Sequence, residues 1–570
     1  MVSIEIVSEA VSPSSHPYHR VHPWERLKAT LRLESTELWI AVVYSAAIGL
    51  VSLVLPVAVQ AVVNTVAFGT LLQPLVILTI LVFVALCFVA VLNAYRQWVV
   101  ELIQRRVFVR MAGESTEKLI GAEQDAFREQ HGPELVNRFL DVVTVQKAAA
   151  SLLVDGLSVV FQTVIGMVLL GVYHPWLLAF DVILLICILI VVFPLGIGAI
   201  PTSVKESKAK YALVAWLEEI ARHQVAFKRP AGARLAMQKT NHYVTEYLKY
   251  RASHFRILMR QIVGSFLLQA VASAVLLGVG GWLVIDRQLT LGQLVAAELV
   301  VALVVSGFTK LGKHLETFYD LMAATDKLGY IEDLPVERTT GEALPRGSQG
   351  AAIELRGVAV TAGIRGKLLE NVNLRLEPGA RAAIVGGTGS GKSMMLDLLY
   401  GLKAPREGVV EIDGRDLRDI RLGDLRSQIA LVRHPEIFDG TVLENLRLGD
   451  ETLDSLDARA ALEQVGLLAS VSALPDGINT RLSTGGLPLS PGQRVQLELA
   501  RALVHKPRVL ILDESVDLLD DLPERGMLLD FLFDVRRPWT LIMVSHSQDV
   551  LDRCRTLYEL RNRTLTEVRR

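Results

Sequence analysis

Hydrophobic and polar positions divide the chain into two halves with different rhythms. In the first half, six predominantly apolar runs occur, at 38–66, 72–92, 152–172, 176–200, 262–285 and 291–305. A helix needs about 20 apolar residues to cross a hydrocarbon core of ~30 Å, so the pattern predicts six spanning helices. The connections alternate in size. Those after the first, third and fifth runs are short ("AFGTL", "YHP", "DRQLT"), whereas the other two carry long charged segments. The long segments hold Arg96, Arg105, Arg106, Arg110, Lys118, Lys205, Lys208, Lys228, Arg229 and Lys249, and the positive-inside bias places them in the cytoplasm with both termini.

Beyond residue 305 the pattern continues as an amphipathic helix and then breaks into "PVERTTGEALPRGSQG", a stretch rich in Pro, Gly and Ser that reads as a linker. From 353 onward the apolar runs shorten to "RAAIVG", "IALV", "VLILDE" and "TLIMVSH", separated by helical patterns. That alternation predicts an α/β globule with a largely parallel sheet. The expected organisation is a cytoplasmic tail and surface helix over 1–37, a six-helix transmembrane domain over 38–334, a linker over 335–352 and an α/β P-loop domain over 353–570. The N-terminal stretch lacks the short apolar core of a cleavable signal peptide, so insertion is expected to use the first spanning helix.

Composition sharpens this picture. With 51% hydrophobic and 21% charged residues in 570, and a mean hydropathy of +0.38, the chain reads as a membrane block plus a globule. The net charge of −1 provides no global field for nucleic acid, and no nucleic-acid partner is expected. Cys87, Cys187 and Cys554 are scattered and show neither a disulfide framework nor metal-ligand spacing.

The strongest chemical signal is Gly386, Gly387, Thr388, Gly389, Ser390, Gly391, Lys392 and Ser393, which satisfy G-x-x-x-x-G-K-[ST] between a predicted strand and a predicted helix. Such glycines let successive backbone N–H groups face phosphate oxygens, Lys392 adds charge at the β/γ-phosphates, and Ser393 is placed to ligate Mg²⁺. The run "RVLILDE" ends in Asp513 and Glu514. Asp513 suits Mg²⁺ and Glu514 suits a general base that orients the attacking water; alone, the pair would read as a helix-capping acid pair. "TLIMVSH" ends in His546, a candidate contact to the γ-phosphate.

The order P-loop, "LSPGQRVQLELARAL" (489–503), "VLILDE" and "SH" resembles the nucleotide-binding domain of ATP-binding-cassette proteins, and the six-helix block ahead of it resembles an exporter-type half-transporter. The resemblance implies that two chains dimerise and sandwich two ATP between the P-loop of one and Ser490, Gly492 and Gln493 of the other. It also implies short coupling helices near 132–141 and 211–221. The membrane half, particularly "LVLPVAVQAVVNTVAFGTLLQPL" and "GGWLVIDRQLTLGQLVAAELVV", is similar to bacterial peptide, bacteriocin and toxin secretion transporters. This likeness implies export of a peptide or protein across the bacterial inner membrane, in some relatives with a periplasmic adaptor and an outer-membrane channel. The alternatives are a lipid or drug exporter, or a catalytically weak half paired with a paralogous half-transporter. Asp181 and Glu298 interrupt the apolar helices; Glu298 is either a substrate-path group or part of a local structural pair.

Four positions depart from the family pattern. Ala362 stands where a ring is expected to stack on adenine. "IALVRHPEIFDGT" offers Arg433 or His434 in place of a glutamine. Pro491 replaces the first glycine of the signature, where proline fits a first helical turn but removes one N–H. "SVDLLD" keeps only Leu519 and Asp520 of the usual Ser-Ala-Leu-Asp. With Lys392, Ser393, Asp513, Glu514 and His546 all retained, a working, slow ATPase is expected.

Overall fold

The structure is a computed structural model that describes residues 22–67, 72–129, 132–362, 366–519, 522–523 and 525–568. Residues 1–21 of the tail and surface helix expected over 1–37, and residues 68–71 of the first short connection, therefore lie outside the described residues. The chain forms two compact units, Met1–Val336 and Glu337–Arg570.

The first unit is helical. Among the described residues five helices are long and apolar enough to cross a bilayer, and the sixth expected span is a shorter apolar helix, Leu291–Val304. Two helices, Leu72–Gly121 and Pro230–Ile285, have 50 and 56 residues. At 1.5 Å per residue they reach about 75 and 84 Å, so each extends far beyond a hydrocarbon core of ~30 Å. Leu170, Leu177, Leu184, Leu276, Leu283, Val300 and Val304 form a buried apolar cluster between the spanning helices.

Two expectations need correction here. The fourth apolar run does not continue to 200. Its helix, Pro175–Val192, ends before Pro194, which cannot donate a backbone hydrogen bond, and the chain re-enters a helix at Ala199–Arg222 after Gly198 at φ +88°. The segment 211–221 is likewise no separate short helix but lies inside Ala199–Arg222; the short helix at that turn is Gln224–Phe227. Near 132–141 a short helix does form, Gly132–Asn137, and the Tyr211 hydroxyl donates to Asp141 Oδ2 at 2.7 Å.

The second unit is built on two main sheets, with a further two-stranded pair of Gly440–Thr441 and Arg481–Leu482. One is six-stranded, in the order Thr564–Val568, Thr556–Arg561, Arg381–Val385, Thr540–Val544, Val509–Asp513 and Ile429–Val432, parallel except for its first pair. The other is four-stranded and antiparallel, in the order Gly366–Leu376, Ile353–Ala362, Glu407–Ile412 and Arg415–Asp416. Both faces of the parallel sheet are covered, which explains why its strands read as unbroken apolar runs. Leu510, Leu512, Leu541 and Met543 enter one core, whereas Val509, Ile511, Ile542 and Val544 enter the other. Alternate residues thus point to opposite cores, and polar groups are pushed to the strand tips. Of the segment expected as a linker, residues 337–352 are tied to the second unit. Glu337 pairs with Arg426 at 2.6 Å, and the carbonyls of Leu344 and Gln349 accept from Gln428 and Arg508.

Candidate functional site

The P-loop follows the strand Arg381–Val385 and opens into the helix Lys392–Leu399. Its turn demands glycine at particular points. Gly389 and Gly391 have φ of +78° and +108°, and a Cβ on Gly386 would lie 2.5 Å from the Leu560 carbonyl oxygen. Gly387, Thr388 and Gly389 form the exposed rim. The Ser390 hydroxyl is buried without a hydrogen-bond partner among the described residues. Lys392 is nearly buried, and its ammonium donates to the carbonyls of Gly386 (2.8 Å) and Gly387 (3.3 Å), curling back over the loop. A glycine-lined concavity with a fixed cation and a spare hydroxyl at a helix N-terminus suits a polyphosphate.

The neighbouring strand tips bring acidic and basic groups to this loop. Glu514 sits just past Val509–Asp513 with φ +54°, a left-handed conformation that a non-glycine residue adopts only where its surroundings enforce it. Its N–H donates to the Val544 carbonyl at 2.9 Å, and its Oε1 lies 3.8 Å from Lys392 Nζ and 3.5 Å from His546 Nε2. The structure therefore gathers Lys392, Glu514 and His546 at one point. Glu514 and His546 remain half exposed, open to water and to a bound phosphate.

Asp513 stands apart from this trio. Arg433, in the position of the missing glutamine, places its Nε 2.9 Å from Asp513 Oδ2. Its other nitrogens donate to Asp397 Oδ1 at 2.6 Å and to the Ser393 carbonyl at 2.9 Å. Ser393 and Asp513 offer oxygen donors suited to Mg²⁺, but the Asp513 carboxylate is already paired with a cation. As folded, this corner does not fit the metal. His434, the other candidate, is exposed.

Ser490, Pro491, Gly492 and Gln493 open the helix Pro491–Val504. The Ser490 hydroxyl accepts from the Gln493 N–H at 3.3 Å, and Gln493 Oε1 accepts from the Ser490 N–H at 2.9 Å, a reciprocal capping box. Pro491 occupies the first helical position, where its missing N–H costs no intrahelical bond. Among the described residues no hydrogen bond or ion pair joins this turn to the P-loop of the same chain. Ala362 ends the strand Ile353–Ala362, with its side chain outside the described residues, as is Asp520.

Sequence reasoning missed two residues. Asp397 lies in the helix behind the P-loop, fully buried and paired with Arg433. Asp517 accepts from the Ser545 hydroxyl and the His546 N–H, and so fixes the turn that presents His546. Both were visible as acids in unexpected company: Asp397 amid "MMLDLLY", and Asp517 at the third position of "SVDLLD".

In the membrane unit Asp181 is buried with neither carboxylate oxygen hydrogen-bonded, whereas Glu298 is only half-buried. Among the described residues Glu298 has no ion pair, so the local structural pair considered for it does not appear there.

Comparison with known proteins gives a consistent picture. Residues 38–307 match the ABC transporter transmembrane region, and residues 369–517 match the ABC transporter family. The chain is 31% identical over 295 residues to the mycobactin import ATP-binding/permease protein of Mycolicibacterium thermoresistibile, covering 51% of each chain. It thus spans about half the length of that relative. It is 26% identical over 530 residues to the alpha-hemolysin translocation ATP-binding protein of Escherichia coli O157:H7, covering 92% of this chain and 74% of that one. It is 30% identical over 412 residues to the ATP-dependent lipid A-core flippase of Desulfotalea psychrophila, covering 69% of each. A bacterial Atm1-family ABC exporter with ATP bound shares the fold, with a TM-score of 0.83, 19% identity and 95% of each chain covered. Apolar helices of spanning length, a P-loop on a parallel sheet and both matches in the same order lead to one conclusion: the chain belongs to the ABC transporter family, as a multi-pass membrane protein with an ATP-binding domain.

Proposed function

We propose that this chain hydrolyses ATP to export a substrate, a peptide or protein in the first reading, across the bacterial inner membrane as a homodimer with its ATP-binding unit in the cytoplasm. The observation that carries the reading is the convergence of Lys392, Glu514 and His546, with Glu514 Oε1 within 3.8 Å of both other side chains. ATP supplies the phosphoanhydride bond whose cleavage drives the cycle. Lys392 neutralises phosphate charge, Glu514 takes the proton of the attacking water, and His546 holds the polar edge opposite. Mg²⁺ at Ser393 and Asp513 belongs to this reading only in states where Arg433 has released Asp513. An adaptor and an outer-membrane channel complete this reading as partners that the resemblance to secretion transporters implies.

Purified chain in lipid nanodiscs should hydrolyse ATP, and inside-out vesicles should accumulate labelled peptide on ATP addition; a chain with no ATPase activity in any lipid sinks the reading. A lipid substrate is the second reading, favoured by an apolar pocket of about 220 Å³ between the helices Pro175–Val192 and Pro230–Ile285, lined by Trp176, Phe180, Leu184 and Val275 among others. Lipid rather than peptide stimulation of the ATPase would select it.

A further inference from the structure

Arg96 lies about 36 Å along the helix Leu72–Gly121 at 1.5 Å per residue, which puts it at the edge of a ~30 Å hydrocarbon core, on the side of the long charged connections. It is 4% exposed, yet its hydrogen bonds all go to neutral oxygens. Nη1 donates to the hydroxyls of Ser45, at 3.2 Å, and Ser158, and Nη2 donates to Asn93 Oδ1 at 2.7 Å. Among the described residues Nε has no hydrogen-bond partner and the guanidinium has no ion pair. Arginine is seldom buried without an anion, because neutral acceptors do not offset the loss of water around a full charge.

His314 is buried as well, at 8% exposure, and neither of its ring nitrogens is hydrogen-bonded among the described residues. The π-helical turn Leu152–Gly156 packs against both helices that carry these groups, Leu72–Gly121 and Leu311–Glu332. Its Asp155 carboxylate acts electrostatically on Arg96 and on His314, but it is exposed and forms no ion pair with Arg96. Lys310 and Lys313, both exposed, add positive charge around His314. The polar layer thus holds more cationic groups than acidic ones, around a π turn of the kind that recurs at functional sites.

We propose that Arg96 and His314 form an anion-binding point that receives a carboxylate of the exported substrate, an acidic peptide, and that Asp155 weakens the hold by opposing its charge. The inference rests on the reading of the chain as an exporter of peptide or protein and names the chemistry that the membrane unit selects. A carboxylate on a single stem is narrow enough to meet the uncommitted Nε–H of a guanidinium enclosed by three helices, and a charge-assisted bond of this kind is about twice as strong as a neutral one. A lipid phosphodiester carries substituents on two sides and is harder to admit. Access requires a local rearrangement, and the π turn is the irregular element beside both groups.

The test uses full-length chain in phosphatidylcholine nanodiscs, without ATP, and follows by fluorescence anisotropy the binding of a fluorescein-labelled Glu-rich decapeptide and of its Gln counterpart. Wild type should bind the Glu peptide at least about tenfold more tightly, the scale of a charge-assisted contact. Arg96→Gln should bring the two affinities within about twofold of each other, and its binding of the Gln peptide shows that it is folded. Arg96→Lys, which keeps the charge, should retain a preference of about threefold or more, and Asp155→Asn should tighten the Glu peptide by about threefold. Should Arg96→Gln fail to fold, these two variants decide. Equal binding of the two peptides by wild type, binding of neither, or a preference that survives Arg96→Gln overturns the proposal. So does stimulation of the ATPase by phosphatidylglycerol that Arg96→Gln abolishes while the peptides go undistinguished, which would assign the point to a lipid headgroup. Wild type that hydrolyses ATP without distinguishing the peptides overturns this proposal alone, whereas wild type with no ATPase activity overturns the export reading.

Discussion

The carboxylate of Asp517 accepts the backbone N–H of His546 at 2.9 Å and, through its other oxygen, the Ser545 hydroxyl at 2.5 Å. Asp517 follows the strand that delivers Glu514, so one side chain ties the acidic strand end to the histidine turn. Asp517→Ala should leave the KM for ATP within about threefold and lower kcat roughly tenfold or more, because His546 loses its position while the P-loop keeps its grip. Steady-state kinetics on nanodisc-reconstituted chain separates these terms. A raised KM with unchanged kcat would place Asp517 in nucleotide binding instead.

Glu514→Gln keeps the shape and the left-handed backbone but removes the base. Turnover should fall by about 10²-fold or more with ATP affinity retained. Lys392→Ala should instead weaken binding itself, since no other cation contacts the Gly386 and Gly387 carbonyls among the described residues. Equal hydrolysis by Glu514→Gln and wild type would remove Glu514 from the mechanism.

The six-strand core and its P-loop were legible in the sequence because their signals are local: apolar runs of strand length, then a glycine pattern whose spacing carries its own geometry. The break after Val192 was harder to see, since "FPLGIGAI" stays apolar through Pro194 and Gly198, and hydropathy does not register backbone geometry. In the sequence Arg433 reads only as a departure from the family pattern. Its partners Asp397 and Asp513 lie 36 and 80 positions away, and only the fold brings the three together.

Lys327 is buried at 2% exposure between the rings of Tyr211 and Tyr330, with nitrogen-to-centroid distances of 5.0 and 5.5 Å. Burial first, then Arg138, draws its ammonium down to about 7 from 10.5. Because the folded pKa lies below the unfolded one, the unfolded chain binds the extra proton between pH 7 and 10.5. Stability therefore rises with pH across that window, and the full penalty applies below pH 7. Lys327→Met should raise the unfolding temperature at pH 6 by several degrees, and the gain should shrink toward pH 10. A gain independent of pH would mean that packing, not charge, limits this site.

Ala362 provides no ring at the position where the family resemblance expects one to stack on adenine. The site should forgo most of the ~1–3 kcal/mol that base–aromatic stacking supplies and should discriminate poorly between ATP and GTP. Ala362→Tyr should lower the KM for both nucleotides. Strong selectivity for ATP in wild type would show that another aromatic covers the base.

The last prediction concerns assembly. In asymmetric pairs of this family, as the resemblance implies, one chain loses the base and its partner loses the signature, so one composite site decays in both halves while the other stays intact. Here Glu514 and the turn Ser490, Gly492 and Gln493 occur on the same chain, and the reciprocal bonds between Ser490 and Gln493 keep that turn formed despite Pro491. Pro491 removes at most one neutral N–H from each composite site, about 0.5–1.5 kcal/mol by net hydrogen-bond strength. That is too little to silence a site whose base and cation remain. The chain expressed alone should therefore form a homodimer with two equivalent hydrolysing sites. Its mass in nanodiscs should be that of two chains, and mixed dimers titrated with Glu514→Gln should lose activity in proportion to the fraction of altered chains or, if both sites must fire together, retain only the square of the unaltered fraction. A monomer, or a dimer inactive until a second gene product is added, would favour the heterodimeric half-transporter instead.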